Sequence, residues 1–495
     1  MNAYRALSEH FKNHAILGEV SSLLGWDQAA MMPDGGAQAR ADQQAMIYRL
    51  SHERLTDPRV GEWLAEAKEQ ELSPWEEANI NEMAWAYKHA ACVPGQLVDD
   101  LSQAGSKCLM VWRKARGDDD FEALEPHLQE VLDLVREKAA IKAEALGVEP
   151  YDALLDRYEP GGTSQAIDAV FEDLAAFLPG FIEEVLSKQA QREDPIRPKG
   201  PFEEKDQKAL GERLMKAWGF DFEHGRLDTS HHPFCGGYSD DVRLTTFYDR
   251  DNFLKGMMAV LHETGHALYS QGLPEEWRRQ PVGQARGMSV HESQSLLVEM
   301  QVSRSRAFME WVAPLYQKAF GQKGDPALEA DNLYRVGTQV QRSLIRVDAD
   351  EVTYPAHVIM RYRLEKAMIS GELEVADLPQ AWAEQMEELV GIVPDSDRDG
   401  CMQDIHWMDG TFGYFPTYTL GAMMAAQWYR TLKEEVDGVE EAVGEGDFGP
   451  IVEWLGDKVH RQGSRYSTDE LLEAQTGSTL DADYFKAHLR ERYLA

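Results

Sequence analysis

The sequence predicts a mainly α-helical protein that also contains a small β-sheet. Along much of the chain, apolar residues recur every three or four positions, the spacing that buries one face of a helix. In residues 166–188 this spacing aligns Ile167, Phe171, Leu174 and Leu178. A single segment, residues 239–252, instead alternates with a period of two, as a strand does.

Helical stripes of the same kind recur throughout the chain, near residues 4–25, 76–91, 124–146, 292–312 and 360–370. Loops rich in Gly and Pro separate them at residues 159–164, 193–201, 321–331 and 437–450. None of these loops is long or biased enough to be an interdomain linker. Although 495 residues would suggest about three domains, we predict one helical unit over residues 1–495, in which residues 1–160 could form an N-terminal helical cap.

Composition and charge limit the classes of function. The chain is 43% hydrophobic and 27% charged, which is typical of a soluble globular protein. It has neither an apolar run long enough for a membrane span nor the apolar stretch of a signal peptide near its N-terminus, so we expect no membrane partner and a cytoplasmic location. Cys92, Cys108, Cys235 and Cys401 lack paired spacing, which indicates free thiols in a reducing compartment.

The formal charge is −36, from 86 acidic and 50 basic residues. Such a surface repels phosphate backbones, so nucleic acid is not expected as a partner. An anionic substrate or product would have to be held by arginines placed locally against this field.

The predicted strand leads directly into a predicted helix. Val242, Leu244, Thr246 and Tyr248 alternate with residues of the opposite face, including Arg243 and Thr245. The following turn offers Asp251 or Asn252 as a helix cap. The strand and the helix after it should therefore lie close together.

That helix carries two histidines four positions apart, with a glutamate after the first. His262 and His266 lie on one helix face and can present two imidazoles to one ion, while Glu263 stands beside them. The alternative is a pair of buried, hydrogen-bonded histidines. Gly265 weakens a helix interior by about 1 kcal/mol relative to alanine, so we expect another backbone to approach closely there.

A zinc hydrolase also needs a third protein ligand and an open position for water. The segment "GMSVHESQSLLVEMQ" offers His291 and Glu292 at the start of another helical stripe, and spacing alone does not choose between them. A solvated first-turn glutamate is the alternative for Glu292.

Several motifs of this sequence resemble those of the carboxypeptidase Taq family of metallocarboxypeptidases. They occur in the family's order over almost the whole chain: "GWDQAAMMPDGG" at residues 25–36, His232-Pro233-Phe234, Asp241-x-Arg243-x-Thr245, His262 to His266, "HESQS" at 291–295, Ile345-Arg346-x-x-Ala349-Asp350, and Gly400-x-x-Gln403-Asp404-x-His406-Trp407. No motif is broken.

The resemblance implies a helical metallopeptidase with a deep cleft, akin to neurolysin and angiotensin-converting enzyme, and a homodimer. It implies Zn2+, or Co2+ in some members, held by His262, His266 and Glu292. The activity implied is removal of single C-terminal residues from peptides with broad specificity. Two alternatives stay open: an oligopeptidase that cuts further inside the peptide or releases dipeptides, and a catalytically dead, metal-stabilised scaffold, against which the presence of Glu263 argues.

Roles for the remaining residues follow from the chemistry. Glu263 would take the proton of the attacking water and pass it to the leaving amine. A second donor to the oxyanion is expected: Tyr418 is the first candidate, since it resembles a tyrosine of related helical metallopeptidases, and His406 is the second. Each could instead be a structural, hydrogen-bonded residue.

A free C-terminal carboxylate calls for an arginine, whose fork matches it in a bidentate way. Arg346 is the first candidate and Arg243 the second. Arg346 could instead pair with Asp348 or Asp350, and Arg243 with Asp241.

We also expect residues 241–247 to form a sheet edge along which a peptide could lie, with Arg243 and Thr245 on one side. In the family this motif is thought to close the cleft beyond the scissile bond. His232 would line the cleft or stabilise a turn.

Overall fold

The computed structural model describes residues 2–494. The predicted unit 1–495 and cap 1–160 each include a terminal residue outside this range. The described part contains twenty α-helices and one three-stranded sheet, so the predicted mainly α fold with a small sheet is confirmed. The helices are α1 (Ala3–Ala30), α2 (Ala37–Leu55), α3 (Pro58–Ala67), α4 (Pro74–Ala91), α5 (Gly95–Asp118), α6 (Phe121–Leu146), α7 (Pro150–Leu155), α8 (Ser164–Gln189), α9 (Glu204–Ala217), α10 (Phe253–Gly272), α11 (Met288–Leu296), α12 (Arg306–Ala319), α13 (Ala330–Gly337), α14 (Tyr354–Ser370), α15 (Leu378–Leu389), α16 (Pro416–Glu435), α17 (Val439–Glu445), α18 (Gly449–Lys458), α19 (Thr468–Thr476) and α20 (Ala482–Leu494).

Local sequence explains where many of these helices begin. Ser73 and Ser467 each form a capping box with the glutamate three residues later, which satisfies two otherwise unpaired amides of the first turn. At α10 the predicted cap is wrong in detail. Asn252 occupies the capping position but makes no side-chain cap bond, and Asp249 accepts the Asp251 and Asn252 amides instead.

The hydrophobic core has two parts. The larger cluster runs from Ala104 in α5 to Tyr493 in α20. The smaller one joins α1, α3 and α4 and comprises Ala3, Leu7, Phe11, Val60, Leu64, Ala67, Ile80 and Met83. Within residues 2–494, no helix has the length and apolar character needed to cross a membrane.

Polar contacts attach the smaller cluster to the rest of the molecule. Arg279 forms an ion pair of 2.8 Å with Glu19 of α1, and Arg286 forms one of 2.7 Å with Glu82 of α4. These contacts place α1 and α4 against the loop that leads into α11.

The sheet consists of β1 (Gly225–Thr229), β2 (Phe234–Tyr238) and β3 (Asp241–Thr246), in the order β1-β3-β2. β3 pairs in parallel with β1 and antiparallel with β2. The prediction that residues 241–247 form a sheet edge is therefore wrong: both sides of β3 are covered by strands. Alternation identified β3 because Val242 and Leu244 are buried while Asp241 and Arg243 are only partly buried, whereas the short, glycine-containing β1 and β2 gave no such pattern.

Helices α10, α11 and α16 pack around the motif histidines. A Cβ atom on Gly265 would lie 2.4 Å from the carbonyl oxygen of Gln294 and 2.6 Å from the Cα of Ser295. The predicted close approach of another backbone is thus confirmed. On the opposite side of α11, a Cβ on Gly421 of α16 would lie 2.8 Å from the Cβ of Glu292.

Candidate metal centre

Three donor atoms converge where α10 faces α11. The Oε2 atom of Glu292 lies 3.8 Å from His262 Nε2 and 3.4 Å from His266 Nε2. All three donors lie within 4.8 Å of one another. The structure therefore brings together the two motif histidines and Glu292, and it places His291 elsewhere.

A second layer of side chains orients the two imidazoles. Glu299 accepts a hydrogen bond of 3.0 Å from His262 Nδ1 and is itself held by Arg304 at 2.7 Å. The Nδ1 atom of His291 lies 2.6 Å from the Nδ1 atom of His266. With both Nδ1 atoms engaged in this way, the Nε2 atoms point towards Glu292, which is how histidine ligands are commonly fixed.

Charge at this centre favours a cation. Burial alone would raise the pKa of Glu292, but His262 and His266 lower it to about 2, so the carboxylate is ionised. Burial likewise opposes ionisation of Glu299, yet Arg304 and His262 lower its pKa. The carboxylate of Glu292 and the two imidazoles fit a divalent ion, since two histidines and one glutamate form a known catalytic zinc set.

Glu263 is buried beside the donors. Its side chain is 7% exposed, and burial raises its pKa, although both histidines act in the opposite direction. Cys235 of β2 lies near enough for Glu263 to raise the pKa of the thiol further, beyond the effect of burial. A carboxyl group with a raised pKa is suited to exchanging protons.

Three tyrosines and Arg346 form the wall next to Glu292. The Tyr418 ring packs 5.3 Å from Tyr414 and 6.0 Å from Tyr354, measured between ring centroids. Burial raises the pKa of Tyr418 well above its ordinary value, and Tyr354 adds to this effect. Its hydroxyl group therefore stays protonated and can donate a hydrogen bond.

Arg346 is buried and already paired. Its Nε and Nη2 atoms donate to Asp404 Oδ1 at 3.1 and 2.7 Å, and its Nη1 donates to the Tyr354 hydroxyl at 2.8 Å. The sequence suggested Asp348 or Asp350 as the partner of Arg346, and this is wrong. Asp348 pairs with Lys255, and Asp350 accepts backbone amides such as that of Gln341. Asp404 lies 58 positions further along the chain, so spacing could not indicate it.

Asp404 is shared by two guanidinium groups. Arg361 Nε donates to its Oδ2 at 2.6 Å, and the Arg361 side chain has no solvent exposure. Two positive charges thus face one carboxylate, and one charge remains uncompensated. His406 lies close to this group; burial, reinforced by Arg346, lowers its pKa to about 4, so the ring is neutral.

The residues predicted from the sheet lie in different surroundings. Arg243 forms a bidentate pair with Asp241 at 2.9 and 2.8 Å and covers the Trp26 ring at 4.2 Å. Thr245 is fully buried, and its hydroxyl lies within hydrogen-bond distance of Ser230 Oγ, at 2.7 Å. His232 is exposed, and its carbonyl oxygen accepts from Ser230 at 2.5 Å. Within residues 2–494, none of these contacts involves the three metal donors.

Sequence reasoning missed Glu299, Tyr354 and Tyr414. Glu299 follows Glu292 by seven positions, which returns a helix to the same face and could have identified it. It lies in the π-helical segment Leu297–Val302 that continues α11, a local feature often found at functional sites. The two tyrosines carry no signal in their spacing.

A helical fold that brings two imidazoles from one helix and a carboxylate from the next beside a buried glutamate is typical of a metallopeptidase. The sequence model of the carboxypeptidase Taq (M32) metallopeptidase family matches residues 6–493. The chain belongs to this family and is accordingly a metallocarboxypeptidase, a hydrolase acting on peptide bonds.

Individual relatives agree over the full length. Thermostable carboxypeptidase 1 of Thermus thermophilus is 40% identical over 505 aligned positions, which cover 100% of this chain and 98% of that one. Metallocarboxypeptidase 1 of Trypanosoma cruzi has a TM-score of 0.98 at 39% identity, covering 100% of this chain and 99% of that one. The M32 carboxypeptidase from Deinococcus radiodurans R1 has a TM-score of 0.94 at 34% identity, covering 100% of both chains.

Proposed function

We propose that this protein removes single C-terminal residues from peptides with broad specificity, using a divalent ion held by His262, His266 and Glu292. Zn2+ is the proposed ion, with Co2+ as a substitute. The observation that carries the proposal is the convergence of three donor atoms within 4.8 Å next to a buried glutamate. When bound, such an ion supplies Lewis acidity, which activates water and polarises the scissile carbonyl group.

Glu263 is the proposed general base and acid. It follows the first histidine ligand directly, and its raised pKa lets it take a proton from water and return it to the leaving amine. Tyr418 is the first proposed donor to the oxyanion, because its hydroxyl stays protonated in the wall beside Glu292. His406 is the second; a neutral imidazole can also donate a hydrogen bond.

Arg346 is the first proposed anchor for the C-terminal carboxylate of the substrate. The positive charge left by the Arg346–Asp404–Arg361 group supports it, as does its position 5.2 Å from the Tyr418 ring. Arg243 stays the second candidate, although Asp241 neutralises it. Thr245 is proposed to support the substrate site from within β3, and His232 from the turn between β1 and β2.

Broad specificity is supported by a neighbouring cavity of about 210 Å³. Leu296, Met300, Val347 and Ala422 line it together with His262 and Glu292. Glu299, Gln301, Arg304, Glu351 and Tyr354 also line it. Its apolar part would discriminate weakly between side chains, since one methylene group changes binding by only about 1–3 kcal/mol.

A homodimer and a cytoplasmic location are also proposed. Exposed apolar side chains on α1 and α2, namely Val20, Leu23, Met46, Tyr48 and Leu50, offer a surface that a second copy could cover. The four cysteines are free, as expected of a reducing compartment.

Comparison of a peptide with its C-terminally amidated form tests the carboxypeptidase activity. The free peptide should lose single residues, and the amidated peptide should react at least about tenfold more slowly, because it lacks the charge that an arginine would bind. Release should be measured by mass spectrometry with and without a chelator. Equal cleavage of both peptides would instead support an oligopeptidase.

The Glu263→Gln variant tests the catalytic role. We expect it to retain its metal, measured by elemental analysis, while kcat falls by about 10²–10⁴-fold, the usual contribution of general acid–base catalysis. Unchanged turnover would mean that the base is a different residue.

A further inference from the structure

A cavity of about 410 Å³ lies between two groups of helices, outside the metal centre. On one side are α1, α2 and α4; on the other are α6 and the residues that follow α7. Its lining comprises His14, His52, Leu55, Ala86, His89, Ala90, Val93, Val98, Lys138, Lys142, Leu154, Arg157, Tyr158, Gly410 and Phe412. Its volume falls within the range of about 300–1,000 Å³ typical of small-molecule sites.

Cationic groups line this cavity, and no Asp or Glu is among its lining residues. Lys138 and Lys142 lie one turn apart on α6, and Arg157 adds a third positive charge. Within residues 2–494, the side chains of these three residues form no ion pair and no hydrogen bond; Arg157 only covers the Trp85 ring at 5.7 Å. Unpaired cations are unexpected in a chain whose formal charge is −36.

A carboxylate close to this cavity, that of Asp156, already accepts hydrogen bonds from other groups. Asp156 accepts hydrogen bonds from His89 Nε2 at 2.6 Å, from Trp85 Nε1 at 2.7 Å and from the Gly161 amide at 2.7 Å. Asp156 raises the pKa of Lys142, but burial and Lys138 lower it more. The fold therefore provides a carboxylate for His89 but none for the two lysines.

Keeping these lysines has an energetic cost. Lys142 is only 4% exposed, and burial, reinforced by Lys138, lowers its pKa to about 8. A buried cation is normally paired, because desolvation otherwise destabilises the folded chain. The charge of this cavity thus fits an anion that enters from outside.

The cavity borders on the space that leads to the metal donors. Tyr158 lines it and packs 5.0 Å from Tyr414, which packs 5.3 Å from Tyr418. A second cavity of about 220 Å³ shares Ala86, Arg157 and Tyr158 with it and is also lined by His291, the residue in contact with His266. The cationic cavity therefore adjoins, through shared lining residues, a cavity that reaches His291 beside the metal donors.

We propose that this cavity is a specificity subsite that binds the carboxylate of an acidic side chain, Glu or Asp, in the peptide substrate. The proposal rests on the proposed carboxypeptidase function. An enzyme that releases single residues binds the C-terminal α-carboxylate within one residue of the scissile bond. The cavity lies further away, because two successive ring contacts of 5.0 and 5.3 Å separate Tyr158, which lines it, from Tyr418. At roughly 3.3–3.6 Å per extended residue, the two contacts together correspond to up to about three residues of extended chain, so the side chain of a residue several positions from the scissile bond is the group expected at the lysines.

Paired peptide series test this subsite. Each pair differs only by Glu or Gln at one position, and the position is moved along the peptide away from the C-terminus. For the unaltered enzyme we expect kcat/KM to be about tenfold higher for Glu than for Gln at one or two positions. Lys138→Met and Lys142→Met should remove this preference while leaving the Gln peptides unchanged, and Lys142→Arg should restore most of it.

Lys114→Met is the matched control, because Lys114 is an exposed lysine of α5 outside the cavity. It removes the same charge and should keep the Glu preference. Glutarate serves as a free dicarboxylate. It should compete with the preferred Glu peptide and not with the corresponding Gln peptide.

Two outcomes would overturn the subsite. One is equal kcat/KM for Glu and Gln at every position; the other is a Glu preference that survives in both Met variants. If glutarate binds but the Glu and Gln peptides have equal kcat/KM, the cavity is a site for free anions and not a substrate subsite. Release of C-terminal residues from the Gln peptides separates these failures from failure of the proposed function, which would abolish turnover of every peptide.

Discussion

Each motif histidine uses both of its ring nitrogens. The Nε2 atoms of His262 and His266 face Glu292, and their Nδ1 atoms face Glu299 and His291. This fixes the ring orientations before any ion binds, so little rearrangement is required on binding. We therefore expect Glu299 and His291 to support metal affinity without being ligands.

Substitution of Glu299 tests this support. We expect Glu299→Gln to lower metal affinity by about 10–100-fold, the usual effect of removing the partner of a ligand. Glu310, an exposed residue of α12, is the matched control, and Glu310→Gln should leave affinity unchanged. Competition with a chromogenic chelator measures both; equal affinities would show that His262 is oriented by other contacts.

Lys142 allows a prediction about stability and pH. Its folded-state pKa is lowered from 10.5 to about 8, so the folded chain binds this proton less tightly than the unfolded chain. The resulting cost is complete below about pH 8 and disappears as the pH approaches 10.5. Lys142→Met should raise the free energy of unfolding by about 1–3 kcal/mol near pH 6.5, with a smaller gain near pH 9.5.

Urea unfolding at both pH values measures this change. The exposed Lys114→Met control should alter stability by less than about 0.5 kcal/mol at either pH. Loss of stability in Lys142→Met at both pH values would mean that the lysine has a structural partner, and the case for an anion subsite would weaken.

At the scale of elements, the contact between α10 and α11 decides the geometry of the centre. Backbone atoms of α11 occupy the space where a Cβ on Gly265 would lie, and Gly421 allows α16 to approach Glu292 from the other side. The two glycines thus allow α10 and α16 to pack closely on either side of Glu292. The separation of these helices sets the distance between the carboxylate and the imidazoles.

Gly265→Ala should force α10 and α11 apart. Its methyl group would lie 2.4 Å from the Gln294 carbonyl oxygen, and such overpacking costs about 1–3 kcal/mol. Metal affinity should fall as well, because Glu292 moves with α11. Thermal unfolding and metal titration measure the two effects.

Gly180 is the matched control for this change. It lies in α8 with nothing within 4 Å of a Cβ atom, so Gly180→Ala should stabilise the protein by up to about 1 kcal/mol. Similar effects of the two substitutions would show that the close approach at Gly265 does not limit the structure.

The N-terminal helices are divided between the two hydrophobic cores. The small core joins only α1, α3 and α4, whereas α5 and α6 contribute to the large core. A cap over residues 1–160 stays a prediction.

At the scale of the whole molecule, the metal donors all belong to the body built on the large core. An ion bound only by the folded state stabilises it by about 2.7 kcal/mol when its concentration is 100 times its dissociation constant. Removal of the metal by a chelator should therefore lower the midpoint of thermal unfolding by about 2–5 °C.

Calorimetry with and without chelator measures this effect. Glu292→Gln is the control: once a ligand is lost, its midpoint should respond much less to the chelator. An unchanged midpoint in the unaltered protein would mean that the three donors do not hold an ion that contributes to folding.

The sequence by itself determined the local features of this protein. Periodicity of 3.6 and 2 residues identified the helices and β3, the four-residue spacing put His262 and His266 on one face, and Gly265 indicated a close helix contact. These features depend on neighbours within a few positions, where chain geometry alone decides which side chains share a face.

Only the tertiary structure decided which faces meet. It turned Glu292 rather than His291 towards the two imidazoles, gave Arg346 the distant Asp404 as a partner, and covered both sides of β3. It also gathered unpaired cations from separate segments around one cavity. Contacts between residues far apart in sequence depend on how whole helices pack, and no spacing within a single helix encodes that packing.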